Sequence, residues 1–429
     1  MPRSSMVPSA RVEQPSRLQR RRDWTRAESV LRNPVARNFA LLLLFTYLLS
    51  VTAFRGIQWP NDWAEAHWLI GYQFGFIKRG LVGHLFSLLP LGESREQAIR
   101  TASSLILSIY AALIIALSSR LARKEGNHPF VLSSVVLFLV SPFIVMTAHL
   151  NGYYDHLFFI LSIVSIYLTL KGRIVFASLV LSLGLLIHET IILVCLPISA
   201  YCILLTQPKT RSDRIRDLSI LLFLPLLVLS FLFLYQSFLL DADEARKQME
   251  AHLRQSGFIR TARFVIVPKE FTRSFIEKLF EELPFFYSRI SDWFYLSRIV
   301  PFLLFVLAVV YVKLRDSRQL HLGMLLAVLC ILSPLMLHLI AGDISRIWSY
   351  PLMAAYLVLW VVLEKTEKPL DPISLRPLSV ILWVGAMAIY LLYSFSSYPL
   401  FDDRPERLDF AQRLYFYLPV LALLIGLAP

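Results

Sequence analysis

PFVLSSVVLFLVSPFIVMTAHLNGYYDHLFFILSIVSIYLTLKGR, residues 129–173, decides the fold. Two apolar runs, 129–147 and 156–170, flank the polar break Asn151-Gly-Tyr-Tyr154-Asp155-His156, and the second stops at Lys171-Gly-Arg173. Runs of this kind approach the roughly 20 residues an α-helix needs to cross a bilayer. Further segments at 39–54, 102–119, 174–187, 190–206, 217–237, 297–313, 320–340, 348–364, 377–394 and 412–428 bring the set to about 12. The expected fold is all-α, a polytopic transmembrane helical bundle. Composition agrees: 56% of the 429 residues are hydrophobic and 17% charged, whereas soluble domains carry about a quarter charged residues. No large soluble domain fits beside the spans.

The first 38 residues hold Arg3, Arg11, Arg17, Arg20, Arg21, Arg22, Arg26, Arg32 and Arg37 among Pro and Ser. That is too long and too basic for the n-region of a cleaved signal peptide. It predicts a cytoplasmic tail over 1–38 and a membrane domain over 39–429. With the N-terminus inside, every second connection should be cytoplasmic: Arg120 to Lys124, Lys171 to Arg173, Lys209 to Arg216, Lys313 to Arg318 and Lys365 to Arg376. Each is basic, as the positive-inside rule requires, so both termini are expected in the cytoplasm and the chain in the inner membrane. One helix across 174–206 would place the Lys209 to Arg216 cluster outside, so a break is expected at His188-Glu189-Thr190. The net charge of +13 then reflects topology and membrane-lipid contact, with no nucleic-acid partner. Cys195, Cys202 and Cys330 lie inside apolar runs and read as packing residues.

The outer segments are 55–101 and 238–296, with shorter ones at 148–155, 342–347 and 395–411. In the first, Asp62 and Glu65 are three apart and would share a helix face, with Asn61 or Asp62 as N-cap and tryptophans at headgroup level. The second mixes charge with Phe and Ile and reads as interfacial helices able to cover a site. Asp155-His156, His188-Glu189 and Asp343-Ile-Ser-Arg346 fall at the same outer ends of spans, where ionisable groups are expensive unless they pair or hold a ligand. Local pairing of Asp343 with Arg346 and packing of His188 on Glu189 remain open beside a chemical role. Lys78-Arg79, between Gly75 and Gly80, suits either a phosphate or a lipid headgroup. Arg260, Arg263, Lys269 and Arg273 either add to that field or form a solvated face. There is no P-loop, dinucleotide fingerprint, His-Glu-x-x-His or Cys-x-x-Cys.

An acidic motif after the first span, an interfacial helix behind it, and a second Asp at the outer start of the fourth span resemble the GT-C superfamily of integral-membrane glycosyltransferases. The resemblance implies a polyprenyl-phosphate-linked sugar as donor and a lipid, glycan or protein as acceptor. It places Asp62 at the catalytic acid position and Asp155 at the second acidic position, with Lys78, Arg79 and Arg346 on the lipid phosphate. The first loop has Asp62-Trp-Ala-Glu65 in place of a paired acid motif, and no sizeable C-terminal soluble domain follows the last span. Metal dependence, including any need for a divalent cation, is therefore open. The expected chemistry has Asp62 as general base, Asp155 or Glu65 orienting the acceptor or a cation, and His156, His188, Glu189 and Asp343 completing the substrate site. Cations would stabilise charge on the leaving phosphate. Two rivals remain: an O-antigen-type polysaccharide polymerase using arginines of 238–296, and a lipid or oligosaccharide translocator.

Overall fold

The computed structural model describes residues 33–426 apart from 91–93, 126–127, 206–209, 258, 260–262, 318–319, 367–369, 371–375 and 401–405. Of the tail expected over 1–38, residues 1–32 lie outside the described residues. Among the described residues every regular element is helical. The chain divides at Leu44, inside helix α1 (Pro34–Gly56), so the described part of the first unit is the N-terminal half of that helix. Its start at Pro34 rather than at 39 uses a residue whose missing N–H costs nothing at a first helical position.

All else concerns the second unit, 45–429. After α1 come two short helices, α2 (Asp62–Leu69) and α3 (Gly80–Ser87). Then follow α4 (Arg95–Lys124), α5 (Pro129–Leu139) with α6 (Pro142–His149), α7 (Asp155–Leu170), α8 (Ile174–Ile187), α9 (Ile191–Val194) with α10 (Leu196–Leu205), and α11 (Arg211–Leu234). A second set of short helices comprises α12 (Ala242–Gln255), α13 (Arg263–Thr272), α14 (Phe275–Glu282) and α15 (Phe286–Ile290). The chain ends with α16 (Trp293–Leu314), α17 (Leu320–Leu332), α18 (Ile344–Lys365), α19 (Arg376–Phe395) and α20 (Phe410–Gly426). Among the described residues seven helices, against the about 12 spans expected, are long and apolar enough to cross a membrane: 34–56, 95–124, 129–149, 211–239, 293–314, 320–339 and 344–365. Four shorter apolar helices occupy 155–170, 174–187, 191–205 and 379–395.

Sequence explains which helices are central. From Ser345 to Leu363 every residue of α18 is buried, as expected of a helix apolar on all sides. Its Tyr356 stacks on Phe138 of α5 with ring centroids 3.9 Å apart, and its hydroxyl meets Ser118 of α4 at 2.7 Å. By contrast α11 is apolar yet mostly uncovered, exposing Phe223, Leu227 and Phe231, which marks a rim helix made to face lipid.

The expected break at His188-Glu189 is present as a reversal of direction. Going along α8, Ala177 accepts a bond from Ser165, and His188 then reaches Phe158 with ring centroids 5.3 Å apart. Beyond the turn Cys195 is back beside Ser162. The chain therefore climbs α7 and descends it again, and α8 ends because His188 takes an extended backbone. All three cysteines are buried and free.

The two sets of short helices pack on each other. Trp68, Leu69, Ile70 and Phe86 share one apolar cluster with Met249, Leu253, Val267 and Phe271. The first set is also tied to the turn before α7: Trp68 Nε1 donates to the Gly152 carbonyl at 2.8 Å and the Tyr154 hydroxyl donates to the His67 carbonyl at 2.7 Å. Gly83 allows α3 to lie against the end of α2, because a Cβ there would sit 1.9 Å from the Ile70 oxygen. These contacts bring residues 78–79 to the end of the bundle where α7, α8 and α18 expose their termini.

Candidate functional site

At that end lies a cavity of about 480 Å³. Its polar wall carries Lys78, Arg79, His188, Glu189, Asp343 and Arg346. Its apolar wall is the inner face of α11, with Leu229, Leu232 and Phe233, opposed by Leu337, Ile340 and Ile347. Just past this wall α11 widens into a π-type turn over Tyr235–Leu239, closed by the bond from Leu240 N–H to Tyr235 carbonyl at 2.9 Å. Such turns concentrate at functional sites.

Arg346, in the first turn of α18, organises the polar wall. Its Nε and one terminal nitrogen donate to the two Asp155 oxygens at 3.0 and 2.8 Å, and the other terminal nitrogen donates to Asp343 at 3.1 Å. His188 Nε2 accepts from the same guanidinium at 3.2 Å. One turn on, the Tyr350 hydroxyl donates to Asp155 at 2.5 Å and accepts from Arg346 Nε at 2.8 Å. Asp155 is fully buried behind Arg346, whereas 34% of the Asp343 side chain is exposed to the cavity. Burial raises the Asp343 carboxyl above its ordinary value against the pull of Arg346. The two local readings of the sequence, Asp343 with Arg346 and His188 beside Glu189 at 3.8 Å, are both present geometrically, but as parts of this larger network.

The second organiser is Arg79, bidentate to Glu189 at 2.9 and 2.5 Å. Among the described residues it is the one non-glycine with positive φ, at φ 60 and ψ 10, a conformation costing about 1–2 kcal/mol that the ion pair holds in place. Burial opposes charge on Glu189, yet Arg79 and His188 keep its carboxyl well below the usual range. His188 is also shifted down, well below the usual histidine range, first by burial and then by Arg79.

Lys78 differs from its neighbours. Among the described residues no carboxylate pairs with it, and its Nζ donates to the Arg273 carbonyl at 3.0 Å. Burial and nearby Lys278 push it well below the usual lysine range. Lys278, which also lines the cavity, is paired with Glu270 at 2.5 Å. Three of the four lining cations thus have carboxylate partners, and the fourth has only a carbonyl. Such a set leaves no large uncompensated charge while offering one cation without a carboxylate partner among the described residues.

The sequence-predicted residues divide. Lys78, Arg79, His188, Glu189, Asp343 and Arg346 line the cavity, and Asp155 supports it from behind. His156 turns away from it: its Nε2 donates to the Thr147 carbonyl at 2.8 Å and its ring meets Tyr110 edge-on. Asp62 and Glu65 are absent from the lining. Glu65 is buried and accepts from Arg100 of α4 at 3.1 Å. Arg260 lies outside the described residues, as does the side chain of Arg263. Sequence reasoning passed over Tyr350, legible as the residue one turn after Arg346, and Lys278, hidden in an ordinary amphipathic pattern. Among the described residues no group of three or more His, Cys, Asp or Glu is placed to hold a metal ion, so a divalent cation here would share its ligands with a substrate. Comparison with protein-family models, with curated proteins and with solved structures finds no match to this chain.

Proposed function

We propose that this protein is a GT-C-like glycosyltransferase of the inner membrane, with twelve spans, both termini in the cytoplasm, and a sugar donor linked to polyprenyl phosphate. The observation that carries the reading is a single cavity in which four cations face an apolar wall formed by a rim helix. A lipid-linked phosphate asks for both surfaces at once: charge-assisted donors for the phosphate oxygens and a hydrocarbon face for the chain. The short helices α12 to α15 would then lie at the outer interface, where the exposed Phe280, Phe285 and Tyr287, with Trp293 at the start of α16, suit the headgroup level.

The reaction follows from the residues. The acceptor hydroxyl attacks the anomeric carbon, the new C–O bond forms as the bond to the phosphate oxygen breaks, the hydroxyl proton passes to a carboxylate, and the lipid phosphate leaves. Asp343 suits the base best, because it faces the cavity and its carboxyl is raised, which makes it the stronger proton acceptor. Glu189, held low by Arg79, is a weaker base and a better positioner. Arg346 and Lys78 meet charge developing on the leaving phosphate. We place the base at Asp343 rather than at Asp62 because Asp62 is not among the residues lining the cavity.

The test is mass spectrometry of polyprenyl-linked sugars and envelope glycans in a null strain complemented with wild type, Asp343→Asn or Asp62→Asn. Accumulated donor with Asp343→Asn, and normal glycans with wild type and Asp62→Asn, is the expected result. The reverse pattern returns the base to Asp62. Unchanged glycans in every strain, with the protein well expressed, overturns the transferase reading.

A further inference from the structure

The cavity leaves the helix bearing Asp62 and Glu65 without a task. Sharing no lining residue with it, an open cleft of about 810 Å³ is lined by Trp59, Ser94, Glu96, Gln97, Arg100, Thr101 and Ser104. Five of the polar residues, from Glu96 to Ser104, recur at i, i+1, i+4, i+5 and i+8, so they form one stripe along the first turns of α4, with Ser94 at its N-cap. Trp59, from the loop before α2, stands beside that stripe with 67% of its surface exposed. The floor is rigid: Arg100 is fixed between Glu65 at 3.1 Å and Glu96 at 2.5 Å, and Glu65 is itself buried.

Charge and shape select the occupant. The lining holds one carboxylate, Glu96, and one guanidinium, Arg100, and that guanidinium is engaged by Glu96 and by the buried Glu65 behind it, so among the lining residues no unpaired cation awaits a phosphate or an anionic lipid headgroup. The remaining groups are an amide, three hydroxyls and an indole face. Hydroxyl-rich rings need this combination: fixed donors and acceptors for their O–H groups and an aromatic plane for their C–H face. A peptide would need apolar side pockets, and Trp59 is the one large apolar group among the lining residues.

We infer that this cleft is a carbohydrate-binding site for neutral or amino sugars. The binding claim stands apart from the transferase reading. Its role as the holding site for a glycan acceptor rests on that reading, and would bring the outer acids Asp62 and Glu65 into function as supports of the acceptor side.

The experiment uses the full chain in nanodiscs of zwitterionic lipid and a panel of oligosaccharides of glucose, mannose, N-acetylglucosamine and glucosamine, read by saturation-transfer NMR and thermophoresis. At least one member should bind. Trp59→Ala should weaken it about tenfold, the order of one lost aromatic contact, with Trp59→Phe keeping most of the affinity and Gln97→Ala losing part of it. Lys78→Met, in the other cavity, should leave this binding unchanged. No binding by any member, or equal binding by wild type and Trp59→Ala, overturns the inference. Native mass spectrometry showing a phospholipid held by wild type and lost in Trp59→Ala also overturns it, in favour of a headgroup site. Sugar binding that persists where no transfer is found would remove the transferase reading alone.

Discussion

Replacing Arg346 with Met removes the one group that joins α7, the α8 turn and α18 at the candidate site. Asp155 is fully buried and accepts three bonds, two from Arg346 and one from the Tyr350 hydroxyl. Without Arg346 the Asp155 carboxylate keeps only Tyr350, and removing one partner of a buried pair costs about 3–5 kcal/mol. The second effect is on Asp343 and His188, which lose a shared donor. The companion variant Arg346→Met/Asp155→Leu removes both charges, and replacing a buried pair with apolar residues is often neutral or stabilising. The expected order is therefore wild type and double variant close together, with Arg346→Met well below both. Unfolding in mild detergent, followed by fluorescence-detected size exclusion across temperature and denaturant, reads that order directly. Transfer separates the roles: the double variant should recover stability but not activity, because the phosphate has lost its guanidinium. If Arg346→Met unfolds with wild type, or if the double variant is no more stable than Arg346→Met, the account of the site as an interlocked ion network is wrong.

Three other outcomes follow from the geometry. Transfer should fall as pH is lowered through the raised pKa of Asp343, because the base must be ionised; a pH–rate profile whose acid limb sits where an ordinary aspartate titrates would contradict this. Lys78 is displaced in the opposite direction, so it loses its proton as pH rises, and affinity for a short-chain prenyl phosphate should weaken on the alkaline side. Lys78→Arg should flatten that dependence and Lys78→Met should lower affinity at every pH, as isothermal titration would record. Gly83→Ala places a methyl 1.9 Å from the Ile70 carbonyl oxygen, backbone that cannot swing aside, and should destabilise by about 1–3 kcal/mol, measured by the same unfolding assay.

The helical bundle was legible because hydrophobic runs are local signals, although seven of the about 12 expected spans are long and apolar enough to cross a membrane among the described residues, and the break at His188 is present where the placing of one basic cluster led us to expect it. The site was legible only as a list of parts. Asp155 and Arg346 are 191 residues apart, and nothing in the neighbourhood of either says which helix ends abut. The spacing of Asp62 and Glu65 correctly implies a shared face, but spacing does not say what the face meets, and Glu65 meets Arg100 at the start of α4. A carboxylate near a helix end reads the same in sequence whether it faces a cavity or seals a helix pair. What distinguishes the two is the partner: Glu65 is enclosed by its guanidinium, whereas Asp343 shares Arg346 with Asp155 and keeps a third of its surface open. Under the proposed function, that sharing is the working arrangement. In the transferase we propose, a guanidinium divided between a buried carboxylate and an exposed one would turn toward an arriving phosphate without abandoning the buried charge, and in turning would free the exposed carboxylate to take a proton.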